Sequence, residues 1–468
     1  MIRPSHLLPS LAIALTACTT VGPDHQTPEM NLPASFSQGG TKWNRKSPES
    51  LPRPRPWWRL YKDPTLTSLI ERSLTSNQEI AAAGARVRQA RSLSQVARSR
   101  YFPAIDIGAS AERSRSRFRG VQGGGGSASL ENRFAVPINF SYELDLWGGR
   151  ARQVESAEAS ADAAAETLNA LGLTVATEVA QTYWALRAVD ADRALLTRTV
   201  ELRRESLGLL TRQRDAGAIS GLDLSRAETE VSTAEADRIG LDRDRIELVN
   251  ALALLTGSAA TGSTVPVRTD LPAPPQVPVS VPSELLRQRP DIRAAERRVA
   301  AANAEIGIAT AAFYPSVNIG ASAGLDASRV SDLFKSPALI WSIGPSVTLP
   351  ITGQKLLGYQ REATIAAHEE ASADYRQTVL NSMREVENAL QGSAIVARQQ
   401  RAQGEALASA RQTFELSSTR FRAGLVSFFD VVDAERTRLD AERRDNAARA
   451  ERLAVSVALI KALGGEWR

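Results

Sequence analysis

Few residues in this sequence are suited to catalytic chemistry. One cysteine, Cys18, rules out a disulfide framework or a multi-thiolate metal site, and only three histidines are present (His6, His25 and His368). Gly320–Gly324 has the Gly-x-Ser-x-Gly pattern of a hydrolase nucleophile elbow, but its small neighbours predict a strand, not a strand–turn–helix. Gly123–Gly126 lacks the Lys-Ser/Thr pair of a phosphate-binding loop. We therefore expect no enzyme activity, no metal and no nucleotide site.

The composition argues against a nucleic-acid partner. The chain has 468 residues, with 57 basic and 52 acidic side chains and a net charge of +5. Basic and acidic residues are interleaved, so no polycationic face is expected, and an aromatic content of 5% offers little surface for base stacking.

No apolar run reaches the ~18 residues of a membrane-spanning helix, so any crossing of a membrane must use strands.

The first residues have the features of an export signal. Arg3 supplies a positive charge, Leu7–Leu15 is a short apolar stretch, and Leu15-Thr16-Ala17-Cys18 resembles a bacterial lipobox. We interpret residues 1–17 as a signal peptide and the cysteine as the mature N-terminus, which carries S-diacylglycerol and N-palmitoyl chains. The alternative is a plain secretory signal with an incidental cysteine. Because Thr19 and not Asp follows the cysteine, the lipoprotein sorting rule indicates the outer membrane.

The distribution of proline predicts very long helices. None of the 23 prolines lies between Pro137 and Pro266 or after Pro350, although ten fall within residues 1–64. Proline in a helix interior costs ~3 kcal/mol, so these gaps permit long uninterrupted helices. Ala151–Arg212 is rich in strong helix formers, and a helix of about 60 residues would be ~90 Å long. Such an amphipathic helix needs partners of similar length.

The chain contains an internal repeat. Tyr101–Ala111 matches Phe313–Ala323 at an offset of 212, and Ala216–Ser220 matches Ala423–Ser427 at an offset of 207. Two copies of a unit of ~200 residues follow from this similarity. The predicted organisation is a signal peptide (1–17), a lipidated Pro-rich segment (18–64), a first repeat (65–264), a Pro-rich linker (265–282) and a second repeat (283–468).

Each copy contains two candidate strands. Phe134–Leu146 and Leu339–Ile351 alternate between an apolar and a more polar face, and Ile105–Glu112 and Val317–Leu325 alternate with smaller residues. Long strands with one apolar face are typical of outer-membrane barrels. The alternative is a pair of β-sandwich strands, but four strands in 468 residues cannot make a sandwich of useful size.

Four strands per chain imply an oligomer. A barrel needs about eight strands to close, and lipid does not tolerate open edges, so three chains would give twelve strands around a lumen wide enough for water. We expect Ser114–Asn132 and Asp326–Ala338 to be the outer loops that join each strand pair. Four arginines alternate where the first loop begins (Arg113, Arg115, Arg117 and Arg119). This pattern favours a solvated strand end over the alternative, contact with lipid phosphates.

Six short motifs are distinctive in combination. They are Cys18–Asp24, Trp57-Trp58, Glu143–Gly148, Arg287–Ile292, Tyr314-Pro315 and Phe429–Glu435. With these motifs, nearly the whole chain resembles the TolC-type outer-membrane efflux proteins, specifically their NodT-like lipoprotein branch. The resemblance implies an α+β membrane protein and a homotrimer, in which a twelve-stranded barrel in the outer membrane continues as a long periplasmic helical barrel. It also implies a periplasmic adaptor protein and an inner-membrane RND-type pump as partners.

The resemblance places two helix hairpins at the periplasmic end. Helices from Gly148 to about Arg214 and from Leu222 to about Leu254 would turn at Gly217, and the second repeat, which begins at Gln354, would turn at Gly424. Residues 217–221 and 424–428 are then the tips. Six tip residues are expected to contact the adaptor: Gly217, Ala218, Ile219, Gly424, Leu425 and Val426.

Three acids near these turns match family positions that form the periplasmic aperture. Asp430 and Asp433 would ring it, and Asp223 would help to hold it shut. Because Asp430 and Asp433 are three residues apart, they project from one helix face, and threefold symmetry gives six carboxylates that attract cations. Arg420 and Arg422 are the candidate partners across protomers. The alternative role for Asp430 is helix capping in the first turn, and both roles can hold.

Three functions remain open at this point. The leading hypothesis is a passive exit duct for small molecules such as drugs, dyes or aromatic acids, driven by an inner-membrane pump. The others are a channel for protein secretion and a periplasmic scaffold lipoprotein without a pore. The alternating strands argue against the scaffold.

Overall fold

The computed structural model describes residues 20–31, 33, 36, 56–117, 128–275 and 289–465. Cys18, the Gly123–Gly126 loop and Arg287-Gln288 lie outside these residues. The chain divides into two compact units. The strand unit comprises residues 1–28, 87–164 and 295–375, and the hairpin unit comprises residues 29–86, 165–294 and 376–468.

Long helices account for most of the described chain. They are α1 (Pro64–Ser76), α2 (Gln78–Ser99), α3 (Gly149–Asp215), α4 (Gly221–Leu255), α5 (Pro290–Ala311), α6 (Gln354–Arg422) and α7 (Phe428–Ala462), with a 3₁₀ helix at Trp57–Tyr61. The predicted long helices are confirmed, since α3 and α6 run unbroken for 67 and 69 residues. None of the described helices has an apolar stretch long enough to cross a membrane.

The strand unit contains one antiparallel sheet. Its strands are β1 (Ala104–Ile107), β2 (Ser110–Arg117), β3 (Ala128–Leu144), β4 (Ser316–Ala327) and β5 (Leu339–Thr348). β3 pairs with β1 and β2 along one edge and with β4 along the other, and β4 also pairs with β5. Gly320–Gly324 lies within β4, so the prediction of a strand for this segment is confirmed.

A proline on β3 explains why one predicted strand is divided into β1 and β2. Both segments follow the same pairing register, with Ala104 opposite Ser141 and Ser110 opposite Ala135. Gly108 donates to the carbonyl of Pro137 at 2.9 Å. Proline has no N–H to return this hydrogen bond, so the ladder is interrupted here.

Several of the predicted strand and loop boundaries are wrong. The strand predicted to reach Leu146 ends at Leu144, and the one predicted to reach Ile351 ends at Thr348. Ser114–Asn132 was expected to be a loop, but β2 continues to Arg117 and β3 begins at Ala128, with Ser114 opposite Glu131. Both segments are strands because their backbones pair with each other. Their side chains lack apolar alternation, so the sequence pattern did not predict them. The second loop, predicted as Asp326–Ala338, starts two residues later because β4 ends at Ala327.

The two faces of this sheet differ sharply in chemistry. We call the first the apolar face; along β3, β4 and β5 it carries Phe134, Val136, Ile138, Phe140, Tyr142, Leu144, Val317, Ile319, Ala321, Ala323, Leu325, Ala327, Leu339, Trp341, Ile343, Pro345 and Val347. The opposite, polar face carries Glu131, Arg133, Asn139, Ser141, Glu143, Asn318, Ser322, Asp326, Ser342, Ser346 and Thr348, among others. One face therefore suits hydrocarbon and the other suits water.

The hairpin unit is built around a buried aromatic and aliphatic core. Trp57 and Trp184 belong to it, and the Trp184 side chain is fully buried. Arg187 is also fully buried, and it is held by the Asp63 carboxylate at 2.9 Å, which in turn accepts a hydrogen bond from Tyr183 at 2.8 Å. The charge of Arg187 is thus compensated inside the core.

Candidate functional site

The two helix hairpins of the hairpin unit turn at glycines in the left-handed conformation. Gly217 has a φ of +72° and Gly424 a φ of +73°. Ala218 N–H donates to the Gln213 carbonyl and Leu425 N–H to the Arg420 carbonyl, at 2.8 and 2.9 Å. Both ends are therefore Schellman motifs, which satisfy the last carbonyls of α3 and α6. The predicted turns at these glycines are confirmed, because only glycine adopts this conformation without steric cost.

A serine–aspartate pair caps the helix that follows each turn. Ser427 Oγ accepts a hydrogen bond from the Asp430 amide at 3.4 Å, and the Asp430 carboxylate accepts from the Ser427 amide at 2.8 Å, which completes a capping box. Ser220 and Asp223 occupy the equivalent positions of the first hairpin, and the Ser220 hydroxyl donates to the Asp223 carboxylate at 2.8 Å. The capping role predicted for Asp430 is thus present in the protomer.

The Asp430 carboxylate accepts hydrogen bonds from the hydroxyl and the amide of Ser427, and these bonds lower the pKa of Asp430. The carboxylate consequently stays ionised at a lower pH than an ordinary aspartate. Because the pKa of Asp430 is lower in the folded state than in the unfolded state, the ionised carboxylate stabilises the hairpin at pH values above the usual pKa of an aspartate. This contribution is lost as the pH falls through the lowered pKa.

The second aperture acid differs from its repeat counterpart. Asp433 is exposed on the first turns of α7, on the same helix face as Asp430. At the repeat offset of 207, its counterpart is Arg226, whose guanidinium lies 3.9 Å from the Asp223 carboxylate. The hairpins therefore present an acidic pair on α7 and an acid–base pair on α4.

Aromatic contacts join the two hairpins. Phe428 packs against a small apolar cluster that contains Leu210 and Leu224, and its ring centre is 5.8 Å from that of Phe421. The guanidinium carbon of Arg226 lies 5.5 Å from the ring centre of Phe429, within cation–π range. The tips of one protomer thus form a single packed end.

A buried ion cluster lies further along the same helices. Arg203, with 7% of its side chain exposed, contacts Glu230 at 3.0 Å and Glu435 at 3.3 Å. Glu230 also pairs with Arg436. Sequence reasoning missed this cluster, because nothing in the spacing of four charged residues among many marks them as neighbours.

The predicted tip residues differ in exposure. Leu425 is 74% exposed, and Ala218, Gly217 and Gly424 are exposed as well, while Ile219 and Val426 are half-buried. Leu222, which was not among the predicted contacts, is 59% exposed. Within a protomer the tips therefore leave apolar side chains open to a partner.

The segment that follows the predicted lipid site docks on the strand unit. Val21 N–H donates to the Trp147 carbonyl at 3.0 Å, and the buried Arg152 pairs with Asp24 at 3.0 Å. Two further contacts are Asn303 to the Pro23 carbonyl at 2.8 Å and His25 to Glu296 at 2.7 Å. In the part of the chain that is described, acidic, histidine and cysteine side chains form no cluster that could hold a metal ion.

Comparison with known proteins identifies similar chains along the full length. The profile of the family described as outer membrane efflux protein matches residues 69–258 and 281–465. The chain is 31% identical over 477 residues to the pyoverdine export outer membrane protein OpmQ of Pseudomonas putida, with 100% of this chain and 99% of the relative covered. It is 30% identical over 474 residues to the toluene efflux pump outer membrane protein TtgF of Pseudomonas putida, with 100% and 98% covered.

A solved structure has the same chain fold. The outer-membrane channel OprN is 32% identical and superposes with a TM-score of 0.87, covering 96% of this chain and 99% of that chain. The agreement therefore includes both the sheet and the long helices described above.

Proposed function

Because the chain belongs to the outer membrane efflux protein family, we propose that it is the exit duct of a tripartite pump that passively conducts small molecules from the periplasm to the exterior. Family membership confirms the predicted fold class, that of a trimeric channel with a β-barrel and a helical barrel, and the outer-membrane location. It also confirms the expectation that the protein is a channel and not an enzyme. The scaffold hypothesis is excluded by the same membership.

The polar face of the sheet is the observation that carries this proposal. Its hydroxyl, amide and charged side chains include the ion pair between Arg133 and Asp326 at 2.6 Å. With the apolar face toward lipid, this polar face lines the lumen, where hydrated solutes can pass. No nucleotide-binding motif is present in the sequence, so the energy for transport must come from the inner-membrane pump.

The proposed substrates are drugs, dyes and aromatic acids. Relatives of this chain export toluene or pyoverdine according to their names, and these compounds differ greatly in polarity and size. Such a range agrees with a duct that leaves substrate selection to its pump. We propose an RND-type pump and a periplasmic adaptor as the partners.

We further propose that the acids at the hairpin ends control entry from the periplasm. Asp430 and Asp433 would form a ring of six carboxylates in the trimer, and Asp223 would help to hold the aperture shut. The capping role of Asp430 is compatible with this one, since the capping bonds leave the residue exposed.

The exposed tips are the proposed adaptor contact. Gly217, Ala218 and Leu425 offer an apolar surface on the two turns, with Ile219, Gly424 and Val426 beside them. Burial of such a surface under an adaptor is favourable at ~25 cal/mol per Å² of apolar area. Because these six tip residues lie at the turns, an adaptor bound to them would not cover the aperture acids.

Efflux is tested by the accumulation of dyes and antibiotics in cells. Cells that lack this protein but retain its pump are expected to accumulate more of at least one compound than cells given the wild-type protein back. Unchanged accumulation of every compound, together with a missing secreted protein, would show that the duct serves protein secretion instead.

We propose that Cys18 carries the lipid anchor. Two or three acyl chains, at ~0.8 kcal/mol per buried CH₂, hold a protein stably on a membrane. We expect Cys18→Ser to abolish incorporation of labelled palmitate and to leave the 17-residue signal peptide attached, as measured by intact mass. Thr19→Asp is the matched control: it should remain acylated but fractionate with the inner membrane. Palmitate labelling of Cys18→Ser equal to wild type would refute the assignment.

A further inference from the structure

The apolar face of the sheet ends in arginines on the side of the outer loops. Arg113 and Arg115 extend the face that carries Ile105 and Ile107, since alternate residues of a strand share a face. Arg113 is opposite Asn132 on β3 and Arg115 is opposite Leu130. Both arginines are exposed, and they lie within a paired strand, not in the loop where the sequence had placed Arg115.

The height of these arginines matches the edge of the hydrocarbon layer. Six apolar residues on β3 run from Leu144 to Phe134, which at ~3.3 Å per residue and a tilt of ~40° spans ~25 Å along the membrane normal. This is the height of the apolar band of outer-membrane barrels. Arg113 and Arg115 then lie ~5 and ~10 Å beyond Phe134, at the depth of lipid headgroups.

Charge on the sheet is separated by face. The carboxylates of the described strands all lie on the polar face (Asp106, Glu112, Glu131, Glu143 and Asp326). The arginine on that face, Arg133, is paired with Asp326 at 2.6 Å. Within the described residues, neither Arg113 nor Arg115 has a carboxylate partner. The charged side chains that the described strands place on the lipid-facing side at this height are therefore arginines, and the trimer repeats them three times.

We propose that Arg113 and Arg115 bind the phosphate groups of a phosphorylated glycolipid in the outer leaflet of the outer membrane. A guanidinium is planar, always charged and matched to phosphate oxygens. A solvated strand end needs only polarity, and either face would provide it. Solvation alone would not require both unpaired arginines to lie on the lipid side. On that side, at headgroup depth, the phosphates of lipid headgroups are the partners available to them. This lipid site is separate from the path of the exported molecules.

The test is the binding of bisphosphorylated lipid A to the purified detergent-solubilised trimer. We expect Arg113→Gln with Arg115→Gln to weaken binding about tenfold, or ~1.4 kcal/mol, and raised salt to weaken wild-type binding as well. Dephosphorylated lipid A should bind the wild type as weakly as bisphosphorylated lipid A binds the double variant. Inorganic phosphate at the same concentration should not compete, because the acyl chains must also pack on the apolar face.

Arg133→Gln is the control for position, since it removes one guanidinium charge at nearly the same height from the polar face. It should bind bisphosphorylated lipid A like the wild type. Equal binding by the wild type and the double variant, or equal loss in Arg133→Gln, would overturn the proposal. If the double variant does not form trimers, the wild-type comparison of lipid A with and without phosphates decides the question. Displacement by inorganic phosphate would point to a free-anion site and would also overturn it.

Discussion

Replacing Asp430 and Asp433 by asparagine is expected to lower the cation enrichment at the channel mouth about threefold. A unit charge ~10 Å from the axis changes the energy of a passing ion by ~0.4 kcal/mol in water. Screening at physiological ionic strength reduces this value several-fold, so six carboxylates contribute ~0.7 kcal/mol, which corresponds to a factor of about three. The reversal potential of the trimer in a planar bilayer under a KCl gradient measures the change.

Two variants separate this effect from capping and from general charge removal. Asp433→Asn removes ring charge without touching the Ser427 cap, so it should give about half of the shift. Asp440→Asn is the distant control on α7; its carboxylate is exposed and pairs with Arg444 at 2.8 Å. A double variant with the wild-type reversal potential would show that these acids do not line the aperture.

Replacing Arg203 by alanine is expected to destabilise the hairpins by about 3–5 kcal/mol. The guanidinium is buried and holds two carboxylates from two other helices, Glu230 and Glu435. Without Arg203, the mostly buried Glu435 loses this counterion and Glu230 keeps its pair with Arg436. Breaking a buried ion pair by removing one partner has a cost of this magnitude. We expect amide exchange in residues 221–240 to accelerate by a factor of roughly 10²–10⁴, because exchange follows the free energy of local opening.

The adjacent arginine provides a matched control. Arg204 has 60% of its side chain exposed and pairs with Glu235 at 3.2 Å. Exposed pairs contribute ~0–1 kcal/mol, so Arg204→Ala should change exchange by less than about tenfold. Equal exchange in the two variants would mean that the buried cluster contributes no more to stability than a surface pair. Size-exclusion chromatography should show that the wild type and both variants are trimers, so that amide exchange is compared in assembled protein.

Several motifs that revealed the family from the sequence have structural roles. Asp145 accepts hydrogen bonds from the Arg150 and Ala151 amides and so caps the start of α3. Trp147 donates to the Pro315 carbonyl at 2.8 Å and stacks on Tyr314. The Asp145 cap is local to the start of α3, whereas the Trp147 contacts join the Glu143–Gly148 motif to the Tyr314-Pro315 motif of the second repeat.

The sequence by itself determined the elements that depend on near neighbours. Proline-free stretches predicted α3 and α6, and apolar alternation predicted four strands. The family resemblance placed the hairpin turns, and Gly217 and Gly424 supplied the local reason for them. Helix propensity, side-chain period and the left-handed turn are all properties of a few consecutive residues. The aperture role of the acids came from the family resemblance and stays a prediction.

Only the tertiary structure decided what depends on distant partners. Ser114–Arg117 became strand because β3 pairs with it; the alternating arginines indicated a strand end, but without apolar alternation they did not fix how far the strand continues. The pairing register also fixed the face of Arg113, and helix packing brought Arg203 to Glu435, 232 residues away in the chain. Strand registers and buried ion pairs gain their energy from groups that the fold brings together, so they cannot be read from local spacing.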